Sequence, residues 1–130
     1  MSVSVGERAE TTRTVTGELL EHFAEATGDR NPIHFDEAYA ATTRFGGRIA
    51  HGLLVGGVIS SLLANELPGP GTVYLSQELS FRAPVRIGDE VRCEVEVTEV
   101  DARGRVTLAT RAWVGETLVV DGMARVLAPG

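Results

Sequence analysis

Several features common in protein sequences are scarce or missing from this chain of 130 residues. Its longest apolar stretch, Leu53 to Ala64, contains two glycines and two serines and is shorter than the roughly 20 residues of a membrane-spanning helix. No basic segment leads into an apolar one at the start, so we expect no secretory signal. The single cysteine, Cys93, excludes an internal disulfide. These absences together favour a cytoplasmic protein.

Positive charge is also scarce. Lysine is absent, and 12 arginines stand against 18 acidic residues, giving a net charge of −6. Because an acidic surface repels phosphate backbones and anionic lipids, we expect neither nucleic acid nor a membrane as a partner. Aromatic residues make up only 5%, but the 43% hydrophobic and 23% charged fractions are ordinary for a globular protein. The length predicts one domain over residues 1–130.

The first half of the sequence predicts short helices. Thr16 or Gly17 is suited to cap a helix from Glu18 to Thr27, and Gly28 is suited to end it in the left-handed conformation. Its predicted apolar face consists of Leu19, Leu20, Phe23 and Ala26. After a break at Asn31-Pro32, Asp36 is expected to cap a second helix, Glu37 to Thr42.

A third helix, predicted over Leu53 to Leu67, is apolar in nearly every direction around its axis. A helix of that kind is normally buried on all sides. Small residues are expected to let other elements approach it closely; they are Gly56, Gly57, Ser60 and Ser61. Pro68 and the glycines and proline after it should stop the helix.

The sequence after Gly71 alternates between apolar and polar residues, which predicts strands with one buried face. The alternating segments are Val73–Ala83, Val91–Val97, Val106–Val114 and Leu118–Val126. A slip in the alternation at Glu99-Val100 indicates a bulge or a strand end. Short turns between segments favour an antiparallel meander, to which Thr11–Val15 could add a fifth strand. A one-faced sheet wrapped around a buried helix is the α+β architecture called the hot dog fold.

One candidate site lies in the irregular segment Gly28-Asp29-Arg30-Asn31-Pro32-Ile33-His34. Asp29 and His34 are separated by a proline that stiffens the backbone, so they could hold one water molecule and move protons to and from it. Taken alone, the same residues are also typical of a structural turn. The spacing leaves both interpretations open.

A second candidate site is Ala50-His51-Gly52, at the start of the third helix. A helix N-terminus offers free N–H groups and positive potential, and Gly52 would let a carbonyl oxygen approach the backbone. We interpret His51 as a capping or buried structural residue rather than a catalytic one. Ser60, two turns along, could donate into the same pocket. Three histidines without an i, i+4 pair give no support for a metal site.

The residues around both candidate sites resemble a known family. Phe23 to Asp36 is similar to the hydratase signature of the MaoC-like family, the (R)-specific enoyl-CoA hydratases, in which Gly-Asp-x-Asn-Pro-hydrophobic-His carries the active site. Further similarity lies at Ala40-Ala41-Thr42-Thr43, His51-Gly52-Leu53-Leu54, Leu67-Pro68-Gly69, Ser80–Val85 and Gly88-Asp89-Glu90-Val91. The resemblance therefore covers most of the chain.

The resemblance implies reversible syn addition of water to a trans-2-enoyl thioester, giving the (R)-3-hydroxyacyl product. It implies that Asp29 and His34 are the catalytic pair and that the Gly52 amide forms the oxyanion hole. Substrate contacts are expected from Ser60, Asn31 and Leu63. No cofactor is implied, since CoA is part of the substrate. The family also implies a homodimer.

Three other functions stay open at this point. A 3-hydroxyacyl-acyl-carrier-protein dehydratase would run the same chemistry in reverse on a different carrier. A hot dog thioesterase would release a free thiol and would not require the Asp29 and His34 spacing. A non-catalytic acyl-thioester binding subunit would bind the ligand without changing it.

Overall fold

The computed structural model describes residues 3–130, which form one five-stranded antiparallel sheet and four helices. The elements in chain order are β1 (Arg8–Thr14), α1 (Gly17–Thr27), α2 (Pro32–Phe35), α3 (Glu37–Ala41), α4 (Gly52–Asn65), β2 (Val73–Phe81), β3 (Glu90–Val100), β4 (Arg105–Val114) and β5 (Thr117–Leu127). In the sheet their order is β1-β3-β4-β5-β2. Within residues 3–130, no helix is long and apolar enough to cross a membrane.

The predicted caps of the first two predicted helices are confirmed, and the predicted bounds agree with the observed ones to within one residue. The Thr16 hydroxyl accepts a hydrogen bond from the Leu19 amide and caps α1, which ends at Gly28 with φ of 81°. The Asp36 carboxylate caps α3 in the same way. Ala26 is exposed, so its predicted place on the buried face is wrong. The expected irregular segment after Gly28 includes a helical turn, α2, that the sequence analysis did not predict.

Helix α4 packs against the sheet with one side only. Its buried residues are Leu54, Val55, Ile59, Leu62 and Leu63. The predicted burial all round is wrong, because Leu53 is 63% exposed on the side that the sheet does not cover. Only one of the two glycines allows close packing against the sheet. A Cβ at Gly56 would lie 3.0 Å from Leu79 of β2, whereas one at Gly57 would meet nothing within 4 Å.

Strands β3, β4 and β5 form the predicted meander, and their alternating residues build the core. The buried residues on these strands are Val91, Cys93, Val95, Val97, Val106, Leu108, Thr110, Ala112, Val119, Val120, Ala124 and Val126. The register of β3 against β4 shifts between Val97 and Glu99, which confirms the predicted irregularity there. The possible fifth strand is present as β1, which pairs with β3.

Strand β2 departs from the prediction. It does not lie beside β3, as a simple meander would require, but pairs with β5 and forms one edge of the sheet. Its apolar residues were expected in the core, yet Val73, Leu75 and Phe81 are each about half exposed. An edge strand has a neighbour on one side only, and α4 covers only part of its face.

Gly122 determines how closely β2 can approach β5. It pairs with Leu79, and a Cβ at this position would overlap the backbone carbonyl of Glu78. We expect Gly122→Ala to lower the free energy of unfolding by at least about 2 kcal/mol, because backbone cannot yield as a side chain can. Urea denaturation measures this change. Gly57→Ala, on the open side of α4, is the matched control and should unfold at or above the wild-type midpoint. A Gly122→Ala protein as stable as wild type would contradict the close pairing.

Candidate active site

A cavity of about 510 Å³ opens between the segment after α1, the N-terminus of α4 and the end of β2. Its walls combine polar groups with apolar side chains. They are formed by Asp29, His34, Arg44, Phe45, Ile49, Ala50, His51, Gly52, Leu53, Val55, Phe81, Arg82, Ala83, Pro84, Val85 and Val120. The cavity therefore contains three predicted site residues, Asp29, His34 and Gly52.

Asp29 stands in a turn held by its own neighbours. Gly28 reverses the chain in the left-handed conformation, and the Asp29 amide donates to the Thr27 hydroxyl at 3.2 Å. One carboxylate oxygen, Oδ1, accepts from the Asn31 amide at 3.3 Å. The carboxylate is exposed and reaches the cavity. It is thus oriented by the turn while keeping acceptor capacity for a ligand.

His34 lies on α2 and is largely buried. Its Nδ1 lies 2.7 Å from the backbone oxygen of Ile49. Because a carbonyl can only accept, Nδ1 carries a hydrogen, which leaves Nε2 as the nitrogen that can exchange a proton with a ligand. Its backbone is anchored too, since Arg48 Nε donates to the His34 carbonyl at 2.6 Å. His34 is therefore a fixed imidazole with one nitrogen available to accept a proton.

His51 immediately precedes α4 and is 2% exposed. Its predicted burial is confirmed, but its side chain makes no capping hydrogen bond. Instead Nε2 donates to the backbone oxygen of Asp29 at 3.0 Å, and the ring stacks on His34 with centroids 3.8 Å apart. Burial lowers the pKa of His51 and outweighs the hydrogen bond to the Asp29 carbonyl, which acts in the opposite direction. The ring is thus held neutral against both predicted catalytic residues.

Gly52 is the first residue of α4. Among residues 3–130, its amide has no hydrogen-bond acceptor, as expected for the first N–H groups of a helix. A Cβ here would lie 2.7 Å from the Phe81 ring. Glycine therefore lets the Phe81 ring pack against the start of the helix. The free N–H stands in the cavity wall at the positive end of the helix, where a carbonyl oxygen could bind it.

The other three predicted site residues do not line the cavity. Asn31 caps α2, because its side-chain oxygen accepts from the Ile33 amide at 3.2 Å. Leu63 is 1% exposed and packs in the hydrophobic core. Ser60 is partly buried on α4, away from the lining residues. Turn chemistry thus accounts for Asn31, and substrate contacts by all three stay predictions.

Sequence reasoning missed part of the site. It separated His51 from Asp29, although they lie in contact, because no pattern joins residues 22 positions apart. It also placed Phe81 and Ala83 in the core by their alternation, whereas both line the cavity. Arg44 carried no signal beyond its charge. The clearest available clue was that two of the three histidines, His34 and His51, lie within two residues of a proline or a glycine.

The structure also tests whether this cluster suits a metal ion. Asp29, His34 and His51 each offer one potential ligand atom, all within 4.8 Å of one another. One nitrogen of each ring is occupied by a hydrogen bond to a carbonyl. The rings are stacked with an interplanar angle of 27°, so their in-plane lone pairs do not converge on one point as metal coordination requires. The ring geometry is poorly suited to a metal.

Together, a one-faced sheet packed on a helix and a polar cavity at that helix's N-terminus define a hot dog domain with an enzyme-like site. Comparison with known families agrees: residues 3–119 match the model described as MaoC like domain. The chain belongs to the MaoC-like domain family, as its signature residues predicted.

Individual relatives give finer detail. An (R)-specific enoyl-CoA hydratase of Aeromonas caviae is 43% identical over 98% of this chain and 97% of its own. A 3-hydroxybutyryl-CoA dehydratase of Methylorubrum extorquens is 58% identical over 82% of this chain and 69% of its own. The solved structure of the (R)-hydratase from A. caviae involved in PHA biosynthesis superposes with a TM-score of 0.95, covering 98% of both chains at 43% identity. The hot dog prediction is confirmed.

Proposed function

We propose that this chain is an (R)-specific enoyl-CoA hydratase, a hydro-lyase that adds water reversibly to trans-2-enoyl-CoA. The observation that carries the proposal is the meeting of three groups in one cavity: the Asp29 carboxylate, the His34 imidazole and the Gly52 amide. The two relatives named as a hydratase and a dehydratase support it, because hydration and dehydration are the two directions of one reaction.

In the proposed mechanism, His34 and Asp29 hold one water molecule. His34 has its Nε2 lone pair available because Nδ1–H is tied to Ile49, so Nε2 takes a proton from the water as its oxygen bonds to C3 of the substrate. The electron pair of the double bond moves toward the thioester oxygen, where the Gly52 N–H stabilises the negative charge. Asp29 serves as the proton carrier: the proton taken up by His34 passes to the Asp29 carboxylate and from there to C2 on the same face, which returns both residues to their starting protonation states.

We propose CoA as the carrier and no separate cofactor. Arg44 and Arg82 line the cavity, and Arg44 has no carboxylate partner among the ion pairs of residues 3–130. Guanidinium groups suit phosphates well, so these two arginines are suited to the phosphates of CoA. An acyl-carrier-protein thioester also ends in a phosphopantetheine arm, and that dehydratase is the second candidate.

The purified chain with crotonyl-CoA and longer enoyl-CoAs tests this function. We expect loss of the enoyl absorbance without release of free thiol, and faster turnover of CoA thioesters than of carrier-protein thioesters. Preference for carrier-protein thioesters would favour the dehydratase. Free thiol would indicate a thioesterase, and ligand binding without any change in absorbance would indicate a non-catalytic subunit.

We further propose that the chain acts as a homodimer joined at the β2 edge. The opposite edge, β1, is polar, whereas β2 exposes Val73, Leu75 and Phe81 beside Leu53 of α4. Proteins rarely leave an apolar sheet edge uncovered, and a second copy would cover it by two-fold symmetry. Since Leu53 and Phe81 also line the cavity, the site would lie at the subunit boundary.

Sedimentation of wild type and of Leu75→Arg tests this interface. We expect a dimer for wild type at micromolar concentration and a monomer for Leu75→Arg, because a buried unpaired charge is strongly unfavourable. Val100→Arg, at another exposed apolar position, is the control and should stay dimeric. A monomeric wild type that is active would contradict the proposal.

Two further proposals concern the chain as a whole. We propose that residues 1–130 act as one domain, supported by the one sheet and one core cluster that residues 3–130 form. We propose a cytoplasmic location, supported by a free, buried Cys93 whose pKa is raised by burial to about 11. Such a thiol suits a reducing compartment.

A further inference from the structure

We propose that His51 is a positioning residue for the reaction, holding Asp29 and His34 in the geometry that binds the water. The inference rests on the proposed function. Two contacts carry it: Nε2–H donates to the Asp29 backbone oxygen at 3.0 Å, and the ring lies flat against His34 at a centroid distance of 3.8 Å. One side chain thus contacts both predicted catalytic residues, between which residues 3–130 show no direct hydrogen bond.

The surroundings of His51 make it a rigid support. Its ring also contacts Phe23 of α1 at 4.7 Å and Phe35 of α2 at 5.6 Å between centroids. Its backbone begins α4, and the preceding Ala50 amide donates to Val85 at 2.7 Å. Because the side chain contacts α1 and α2 and its backbone leads into α4, it is held in place and can fix the groups that it touches.

The chemistry of the ring explains why a histidine suits this position. Phenylalanine would supply the flat face but no donor, and glutamine would supply a donor but no flat face. Nδ1 of His51 is buried without a hydrogen-bond partner in residues 3–130. A proton there would have no acceptor, so the ring stays neutral and adds no positive charge beside the imidazole that must accept a proton.

Two variants separate the two contacts. His51→Phe keeps the ring face against His34 and removes the donor to Asp29, while His51→Gln keeps a donor and removes the ring face. Stability should change little in His51→Phe, because the unpartnered Nδ1 disappears and the Asp29 carbonyl, on an exposed residue, can bind water. His22→Gln is the control, since that histidine is exposed on α1 and distant from the cavity.

We expect each His51 variant to lower kcat for crotonyl-CoA hydration by about 10- to 100-fold, with KM changed only a few-fold, because slight misplacement of catalytic groups costs rate rather than binding. His22→Gln should keep the wild-type kcat. His51→Ala, which lacks both contacts, should lose more than either variant. Retention of wild-type kcat by folded His51→Phe and His51→Gln would overturn the proposal.

A second readout does not depend on activity. Nitrogen-15 NMR of the histidine rings should show His34 as a single Nδ1–H tautomer in wild type and His51→Phe. In His51→Gln and His51→Ala the flat support is lost, so the imidazole can turn away from the Ile49 carbonyl and we expect signals averaged over both tautomers. If wild type does not hydrate enoyl-CoA, the proposed function fails while this measurement still tests the support of His34. An unchanged His34 spectrum in all variants, or failure of both His51→Phe and His51→Gln to fold, would overturn the positioning role.

Discussion

Asp29→Asn and His34→Asn are each expected to lower kcat for enoyl-CoA hydration by at least about 100-fold, since general acid–base groups typically contribute about 10²–10⁴-fold. Asn at position 29 keeps an oxygen for the Asn31 amide but cannot carry a proton. Asn at position 34 can still donate to the Ile49 carbonyl but has no basic nitrogen. Steady-state kinetics with crotonyl-CoA measures the loss.

Controls and the double variant make this test specific. Glu25→Gln removes a carboxylate from the exposed face of α1, and it should leave kcat and the melting temperature unchanged. The double variant at positions 29 and 34 should lose far less than the product of the two single losses, because both groups act on one water. Near-normal kcat in either folded single variant would show that this segment is a structural turn and not a catalytic site.

Gly52→Pro is expected to lower kcat by a further factor of about 10²–10³ relative to Gly52→Ala, the usual effect of deleting one oxyanion-hole donor. Both variants place a Cβ against the Phe81 ring, which is 54% exposed and can turn aside. Only proline also removes the amide N–H. The fold tolerates it, because proline is favoured at the first position of a helix and His51 already has the extended backbone, with ψ of 130°, that suits a residue before proline.

Comparison of kcat between these two variants therefore isolates the amide from the added bulk. Circular dichroism should show the same helix content in both, and KM should rise to a similar degree, since the same Cβ enters the cavity. Equal kcat values for Gly52→Pro and Gly52→Ala would exclude the Gly52 N–H as the oxyanion donor.

Local patterns predicted the parts of the fold that local forces determine. The capping residues act on backbone groups no more than four residues away, so their roles could be deduced from the neighbouring sequence. They are Thr16, Gly28 and Asp36. The alternation of β3, β4 and β5 was equally informative because each strand has neighbours on both sides and one buried face. In such strands successive side chains point to opposite faces, so every second residue is buried.

The wrong predictions of burial concern side chains whose surroundings depend on more than the chain's own core. Leu53 and Phe81 have side chains typical of a core, but each residue is more than half exposed. Pattern analysis cannot separate an apolar residue that faces the protein's own core from one that faces a ligand or a second subunit. The place of β2 next to β5 was hidden for a related reason, because pairing between strands distant in sequence leaves no local signature.

The candidate site was predictable in its chemistry but not in its supports. The signature located Asp29, His34 and Gly52, and all three line one cavity. The contact of His51 with His34 and Asp29 joins residues 17 and 22 positions apart through α2 and the start of α4. Only folding brings these residues together, so the sequence indicated a buried histidine without its contacts.

The stereochemistry of hydration tests the central claim most directly. Purified wild-type chain is incubated with crotonyl-CoA, and the 3-hydroxybutyryl-CoA formed is resolved by chiral chromatography beside authentic (R) and (S) standards. Water held by Asp29 and His34 can attack C3 from one face only, and the proposed (R)-specific hydratase function makes this the face that gives the (R) product alone. Asp29→Asn should form this product at an initial rate lower by at least about 100-fold. Formation of the (S) product, of a racemic mixture or of free CoA would contradict it.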